Sequence, residues 1–388
     1  MFNLRGEVIY TGSDILQDSY INVDGTTLAA VGGEAEGERA GAYPVITPAI
    51  IDPHAHIGLI RAGEPSAEAE ANESMDTMLA HADVLDSVQM DDKGFRDSIE
   101  MGVLYSCVVP GSGNIVGGNS AVIRNYASDT NSALIRRAGI KGAFGYNPMS
   151  VGGWKGQRPG TRMGALAILR AKLTDVRQKM AKEKGQKENE EGNGNGKAEE
   201  VTYTAEEQVL RTLLRGENRY RVHAHKADDI AALLRIADEF GLKVTVEHSM
   251  DIHQAGVYEE LKKRDIPVVY GPLDSLAYKV ELKHEDWRNI RYLIDSGVEF
   301  GLMTDHPVIM QNMLLFSLRH FLHLGYSKQD ALEIITRKNA KILGIDDILG
   351  TLEAGKWASF VCWSGDPFAL ESVPVAVYAE GQLVYEAE

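Results

Sequence analysis

The chain has 388 residues, 44% hydrophobic and 25% charged, an ordinary globular balance with room for one large barrel or two to three smaller domains. A formal net charge of -16 argues against nucleic acid or an anionic membrane as partner, because both are held by basic patches. No run approaches the roughly 18 apolar residues of a transmembrane helix, and the opening MFNLRGEVIYTG lacks the basic-then-apolar pattern of a secretory signal.

Residues 1–48 contain short β segments, GEVIY, SYINVDG and TLAAVGG, separated by glycine and aspartate turns. Eight strand candidates follow, at 46–56, 103–111, 120–126, 140–146, 219–225, 243–249, 267–273 and 299–306. Most are continuous apolar runs, as strands covered on both faces are. Helical segments alternate with them. Residues 227–241 show an apolar stripe ending in glycine, and 327–344 open on a serine N-cap candidate and also end in glycine. Residues 182–200, KEKGQKENEEGNGNGKAEE, carry almost no apolar side chain and are expected to be a mobile surface insert. Residues 346–388 return to β segments, SFVCW, VAVYAEG and LVYEAE. The pattern predicts an α/β fold. A (β/α)8 TIM barrel over 49–345 carries a small β-sandwich domain made from both termini, 1–48 and 346–388. Cys107 and Cys362 lie in apolar runs and read as small buried hydrophobes, which fits a reducing cytoplasm.

Side chains at i and i+2 of a strand point the same way, so His54 and His56 project together, as do His223 and His225. His248 ends a third strand and Asp305 the last. In a parallel barrel the C-terminal strand ends share one rim, where active sites are built. Imidazole and carboxylate groups together suit a divalent metal, zinc first, with manganese, iron or nickel as competitors. A lone histidine at a strand end can equally be a hydrogen-bonded core residue, and Asp305 can be a helix N-cap. Lys141 interrupts an apolar strand, where an unpaired lysine is costly to bury. It either takes up carbon dioxide to become a metal-bridging anion or reaches the rim to bind a substrate anion. His81, His253, His284, His320 and His323 read as surface or packing residues.

Substrate contacts are expected from the loops after the strands. Asn114 and Asn119 lie in the glycine-rich 110–120 segment, against the alternative of a plain loop. Tyr146, Trp154, Arg158 and Arg162 lie in 146–162, where an arginine would either clamp a substrate carboxylate or pair a structural acid. Tyr270 is a further candidate on the seventh strand.

With these residues in view, the chain resembles the amidohydrolase superfamily. ITPAIIDPHAH is similar to its opening signature, with Ala49 where glycine is usual. VEHS and TDHP resemble its strand 6 and strand 8 signatures. GTLEAGKWASFVCWSGDPF resembles its closing motif, with Ser359 where aspartate is usual. The similarity is greatest to the branch containing imidazolonepropionase and prolidase-like enzymes. The resemblance implies that His54 and His56 hold a first metal and that Asp305 binds metal and shuttles protons. It implies that His223 and His248 are the strand 5 and strand 6 ligands, with His225 in reserve. Lys141 matches the lysine carboxylated in binuclear prolidase-like enzymes, whereas imidazolonepropionase-type relatives manage with one metal, so one or two metals remain open. The implied function is a metal-dependent hydrolase that cleaves an amide or cyclic amide C–N bond by attack of a metal-bound hydroxide. His248 or His225 would hold the oxyanion if free of metal. A heterocycle deaminase using the same ligands and a catalytically inactive scaffold are the alternatives. The expected partner is a small-molecule substrate, and a symmetric homo-oligomer is the common arrangement for such chains.

Overall fold

The computed structural model describes residues 1–150, 158–192, 201–277 and 279–388. The strands fall into three runs along the chain. The first is β1 (Phe2–Tyr10), β2 (Ile15–Asp24), β3 (Thr27–Val31) and β4 (Glu38–Pro48). The second is β5 (Ile50–Ala55), β6 (Val103–Val108), β7 (Val116–Arg124), β8 (Leu134–Ala143), β9 (Tyr220–Ala224), β10 (Val244–His248), β11 (Val268–Tyr270) and β12 (Phe300–Leu302). The last is β13 (Phe360–Trp363), β14 (Pro374–Ala379) and β15 (Gln382–Glu386).

The first and last runs form one continuous seven-stranded sheet, β15-β14-β13-β4-β1-β2-β3. Leu4, Ile9, Ile21, Ile46, Phe360 and Cys362 from both ends of the chain share its core. Trp363 Nε1 donates to Thr47 Oγ1 at 3.0 Å, fastening β13 to β4. The sheet is anchored to the middle of the chain by Tyr105 and Ser359, whose hydroxyls lie 2.6 Å apart.

The middle run forms an eight-stranded sheet in sequential order from β5 to β12. Seven strands run parallel, but β7 is antiparallel to both β6 and β8, a departure from the all-parallel barrel read from the sequence. The cause is loop length. Only residues 109–115 join β6 to β7, too few for the crossover of about a dozen or more that a parallel return needs. The sheet nearly closes on itself. Asp305 N donates to His54 O at 3.1 Å and His56 N to His306 O at 2.8 Å, joining the end of β5 to the segment after β12. Lower on the seam, Asn339 replaces the missing ladder. Its Nδ2 donates to Ile51 O at 2.7 Å and Leu302 O at 2.9 Å, and its Oδ1 accepts from Leu302 N at 3.2 Å.

The helix Ala227–Phe240 buries Ile230, Leu233, Leu234 and Ile236, and Gly241 closes it at φ 71°. The 327–344 segment forms the run Lys328–Leu343, with Ser327 Oγ accepting from Asp330 N, a π turn over Ile334–Lys338, and Gly344 at φ 67°. Within the segment read as a mobile surface insert, residues 182–192 continue the helix Arg162–Gly192. Lysine, glutamate and glutamine favour helix without needing a core, and Glu183 is held by Lys187 at 3.0 Å and Arg211 at 2.7 Å. The rest of that stretch, 193–200, lies outside the described residues. Cys107 and Cys362 are both buried. Among the described residues no helix is long and apolar enough to cross a membrane.

Candidate active site

β5 carries His54, and His56 follows at its end. His54 Nδ1 lies 2.8 Å from Glu247 Oε2, and His56 Nδ1–H donates to the Val109 carbonyl at 2.8 Å. With both Nδ1 atoms engaged, both Nε2 atoms are presented to Asp305, whose Oδ1 lies 3.4 Å from His54 and 3.2 Å from His56.

Glu247 and His248 are consecutive, and strand alternation sends neighbours to opposite faces. Yet both approach His54, the His248 ring with a centroid separation of 5.0 Å. The backbone explains this, because His248 has φ 81°. Asp305 has φ 53°. Left-handed conformations are uncommon for side-chain-bearing residues, and here they aim two functional groups at one point. His248 Nδ1–H donates to Gly271 O at 3.0 Å, which leaves Nε2 toward the cluster. Its ring centroid lies 4.1 Å from that of His223 and 4.8 Å from that of His225.

The ligand atoms form two groups, each within 4.8 Å: His54, His56 and Asp305, and His223, His225 and His248. His54 Nε2, His223 Nδ1, His225 Nδ1, His248 Nε2 and Asp305 Oδ1 are buried with no hydrogen-bond partner. Buried polar atoms are normally paired, so five orphans within these two groups mark a donor set for cations. Neutral imidazoles and a carboxylate are what a divalent ion of the zinc class accepts, and the residues fit it.

The electrostatics agree. Burial, reinforced by the neighbouring imidazoles, drives His223 well below its ordinary range. Burial brings His225 down to about 3 and pushes His248 well below as well. All three rings are therefore neutral, with lone pairs to give. Burial pushes the Asp305 carboxyl up, but His248, His54 and His56 overcome it and hold it well below the usual carboxylate range.

Lys141, fully buried on β8, donates from Nζ to Ser112 Oγ at 3.0 Å. Burial lowers it to about 8 against the pull of Asp305 and Glu247. It acts electrostatically on His56, His223 and His248, and so lies within charge reach of both groups.

Other candidates have different roles. Asn114 donates both amide hydrogens to backbone carbonyls, Glu73 O at 3.0 Å and Asp76 O at 2.8 Å, so it braces a loop instead of meeting substrate. Asn119 donates to Ala82 O at 3.0 Å. Arg162 is committed to Asp229 at 2.7 Å and Glu281 at 3.2 Å, which makes it the structural ion pair of the two readings. Tyr270 is fully buried, with Tyr258, Glu285 and Asp286 as its charge neighbours, and packs in the core. Tyr146 is 48% exposed, and Arg158 is half-buried within its electrostatic reach. Trp154 lies outside the described residues.

Several partners went unread in the sequence. Arg221 and Glu247, 3.2 Å apart and fully buried, support His54 from beneath. Their signal was present, because each is a charge inside an apolar strand, the pattern that singled out Lys141. Asn147 approaches His223 Nε2 with Nδ2 at 3.2 Å and accepts from Lys279 Nζ at 3.2 Å. Asp52 accepts from Thr304 and Gln311 just below the site. Both lay in segments already singled out, Asp52 inside the ITPAIIDPHAH signature and Asn147 in the 146–162 stretch, but neither side chain was assigned a role.

The profile of the amidohydrolase family matches residues 178–384. The chain is similar to an amidohydrolase of Thermotoga maritima MSB8, 32% identical with a TM-score of 0.91 and both chains covered completely. It is 26% identical over 371 residues to the amidohydrolase tasK of Hapsidospora irregularis; the match covers 91% of this chain but spans only 37% of that relative's length. A prolidase solved with N-methylphosphonate-L-proline shares the fold at 15% identity and a TM-score of 0.64, with both chains covered completely.

Proposed function

The chain belongs to the amidohydrolase family, and on that footing we propose that it hydrolyses a carbon–nitrogen bond, an amide or cyclic amide, in a small molecule by a metal-dependent route. The observation that carries this reading is the pair of adjoining ligand groups, with the buried Lys141 in charge reach of both. His54, His56 and Asp305 would hold one ion, and His223 with His248 a second, with His225 beside it. When bound, zinc-class ions polarise the scissile carbonyl and make water acidic enough to attack at neutral pH.

The chain's own residues do the rest. Glu247 and the Val109 carbonyl fix the His54 and His56 rings, and the Gly271 carbonyl fixes His248, so that the free nitrogens are preset. Asp305 Oδ1 accepts the water proton and delivers it to the leaving nitrogen, general acid–base work at one atom. Lys141 would supply an anionic ligand between the two groups. Lowered to about 8, its amine has a neutral fraction at physiological pH. Carbon dioxide adds to that amine with formation of an N–C bond and loss of one proton to solvent, giving an anion in reach of both ligand groups.

The test is metal analysis of protein purified without chelator, paired with a turnover screen of N-acyl amino acids, proline dipeptides, cyclic ureides and aminopurines. The expected result is at least one equivalent of metal and release of a carboxylate and an amine. Less than half an equivalent under metal-replete conditions would overturn the reading. Ammonia release from aminopurines alone would replace it with deamination.

A further inference from the structure

A second cluster of ligand-type side chains lies outside the ligand set just described. Asp251 and His253 sit on the loop after β10, and His284 sits beyond β11 on a different loop. One ligand atom from each of the three falls within 4.8 Å of the others. Asp251 is buried, whereas His253 and His284 are exposed. From the sequence both histidines read as surface or packing residues.

The geometry shows preparation for a ligand. His253 Nδ1–H donates to the Asp251 carbonyl at 2.9 Å, which fixes the tautomer and leaves the Nε2 lone pair outward. Backbone carbonyls orient metal-binding histidines in this way. The Asp251 carboxylate is anchored through Oδ1 by the His284 amide at 2.6 Å, while Oδ2 stands 3.3 Å from His284 Nδ1. The two imidazole rings lie with centroids 4.3 Å apart, tilted by 39°. Two imidazoles and one carboxylate form the donor set that zinc takes with water in its fourth position. Ligand bonds of about 2.0–2.2 Å bring such atoms within roughly 4 Å of one another, and exposed imidazoles can close the remaining distance by small rotations.

We propose that Asp251, His253 and His284 form a separate zinc-class cation site that staples the loop after β10 to the loop after β11. The consequence concerns the neighbouring active site. The stapled segment 271–289 carries Lys279, which reaches Asn147 beside His223, and Glu281, which pairs Arg162. Asp251 N also donates to His225 O at 3.3 Å. An ion here holds one wall of the site without touching the reacting atoms.

The experiment compares wild type with the double variant His253→Ala/His284→Ala. Both are loaded with zinc, desalted and counted by elemental analysis, and the full chain is followed by hydrogen exchange over 271–289. Wild type is expected to carry one equivalent more than the variant, and zinc is expected to slow exchange in that segment at least 10-fold in wild type only. Equal zinc in the two proteins would overturn the proposal and leave an ordinary Asp251–His284 ion pair. The single variant Asp251→Ala, which removes the ligating oxygens altogether, must lose the same equivalent, or the proposal fails. The zinc retained by the double variant counts the main site on its own, so failure here is distinguishable from failure of the hydrolase reading.

Discussion

Glu247 grips His54 from inside the barrel, with Oε2 at 2.8 Å from Nδ1, while the same carboxylate is 3.2 Å from the guanidinium of Arg221. All three side chains are essentially excluded from water. Burial pushes Glu247 up, but Arg221 and His54 overcome it and hold it ionised. The carboxylate thus makes His54 a better ligand and compensates a buried cation. Glu247→Gln removes both services. Metal affinity, read by competition with a chromogenic chelator, is expected to fall about 10–100-fold. The apo protein is expected to lose about 3–5 kcal/mol in urea unfolding, because the buried Arg221 cation, which also donates to the Pro53 carbonyl, is left without a counter-charge. Unchanged values for both would remove Glu247 from the site.

Asp305 is assigned the proton transfer. Asp305→Asn keeps the size and one ligating oxygen but cannot carry a proton. Metal content is expected to stay within about half of wild type, while kcat falls by about 100-fold or more. Full turnover in this variant would assign the proton to another group.

Lys141 separates one-metal from two-metal chemistry. Lys141→Ala is expected to lose one equivalent of metal and most turnover. Acetate added at tens of millimolar is expected to restore part of both, because a small carboxylate fits the space left by a carboxylated lysine. Lys141→Arg stays charged and cannot take up carbon dioxide, so acetate is expected not to rescue it. If both variants keep full metal and rate, Lys141 is only a hydrogen-bond donor to Ser112.

Much of this was legible in the sequence because it depends on local pattern. Most of the eight barrel strands are marked by an apolar run, and His54 and His56 announce themselves by alternation. The direction of β7 was not read, although the short stretch between the 103–111 and 120–126 candidates already leaves no room for a parallel crossover. The aim of His248 was not either, because it rests on one left-handed φ. Asn114 and Arg162 looked like substrate contacts because their partners lie 38 to 119 residues away along the chain. A polar side chain reads the same in sequence whether a ligand or a distant loop satisfies it.

Asn339 offers a test of how the barrel closes. Its amide serves Ile51 O, Leu302 O and Leu302 N at a seam that lacks a regular ladder. Asn339→Ala leaves buried backbone groups unpaired, each costing about 1–3 kcal/mol. Stability in urea is expected to fall by roughly 3 kcal/mol, with activity at low denaturant retained. A loss below about 0.5 kcal/mol would show that other contacts close the seam.

Metal removal ties the site to the fold. The site holds five buried polar atoms without hydrogen-bond partners, including three ring nitrogens on β9 and β10 and the loop that follows β9. An ion that binds only the folded chain stabilises it by about 2.7 kcal/mol at a free concentration 100 times its Kd. Stripping with a strong chelator is therefore expected to abolish turnover and lower Tm by several degrees. The circular dichroism spectrum should stay unchanged, because Glu247, Asn339 and the strand ladders hold the barrel without metal. Returning zinc alone is expected to restore both activity and Tm. A Tm that does not move on stripping and reloading would mean that the orphaned atoms are not the ligands.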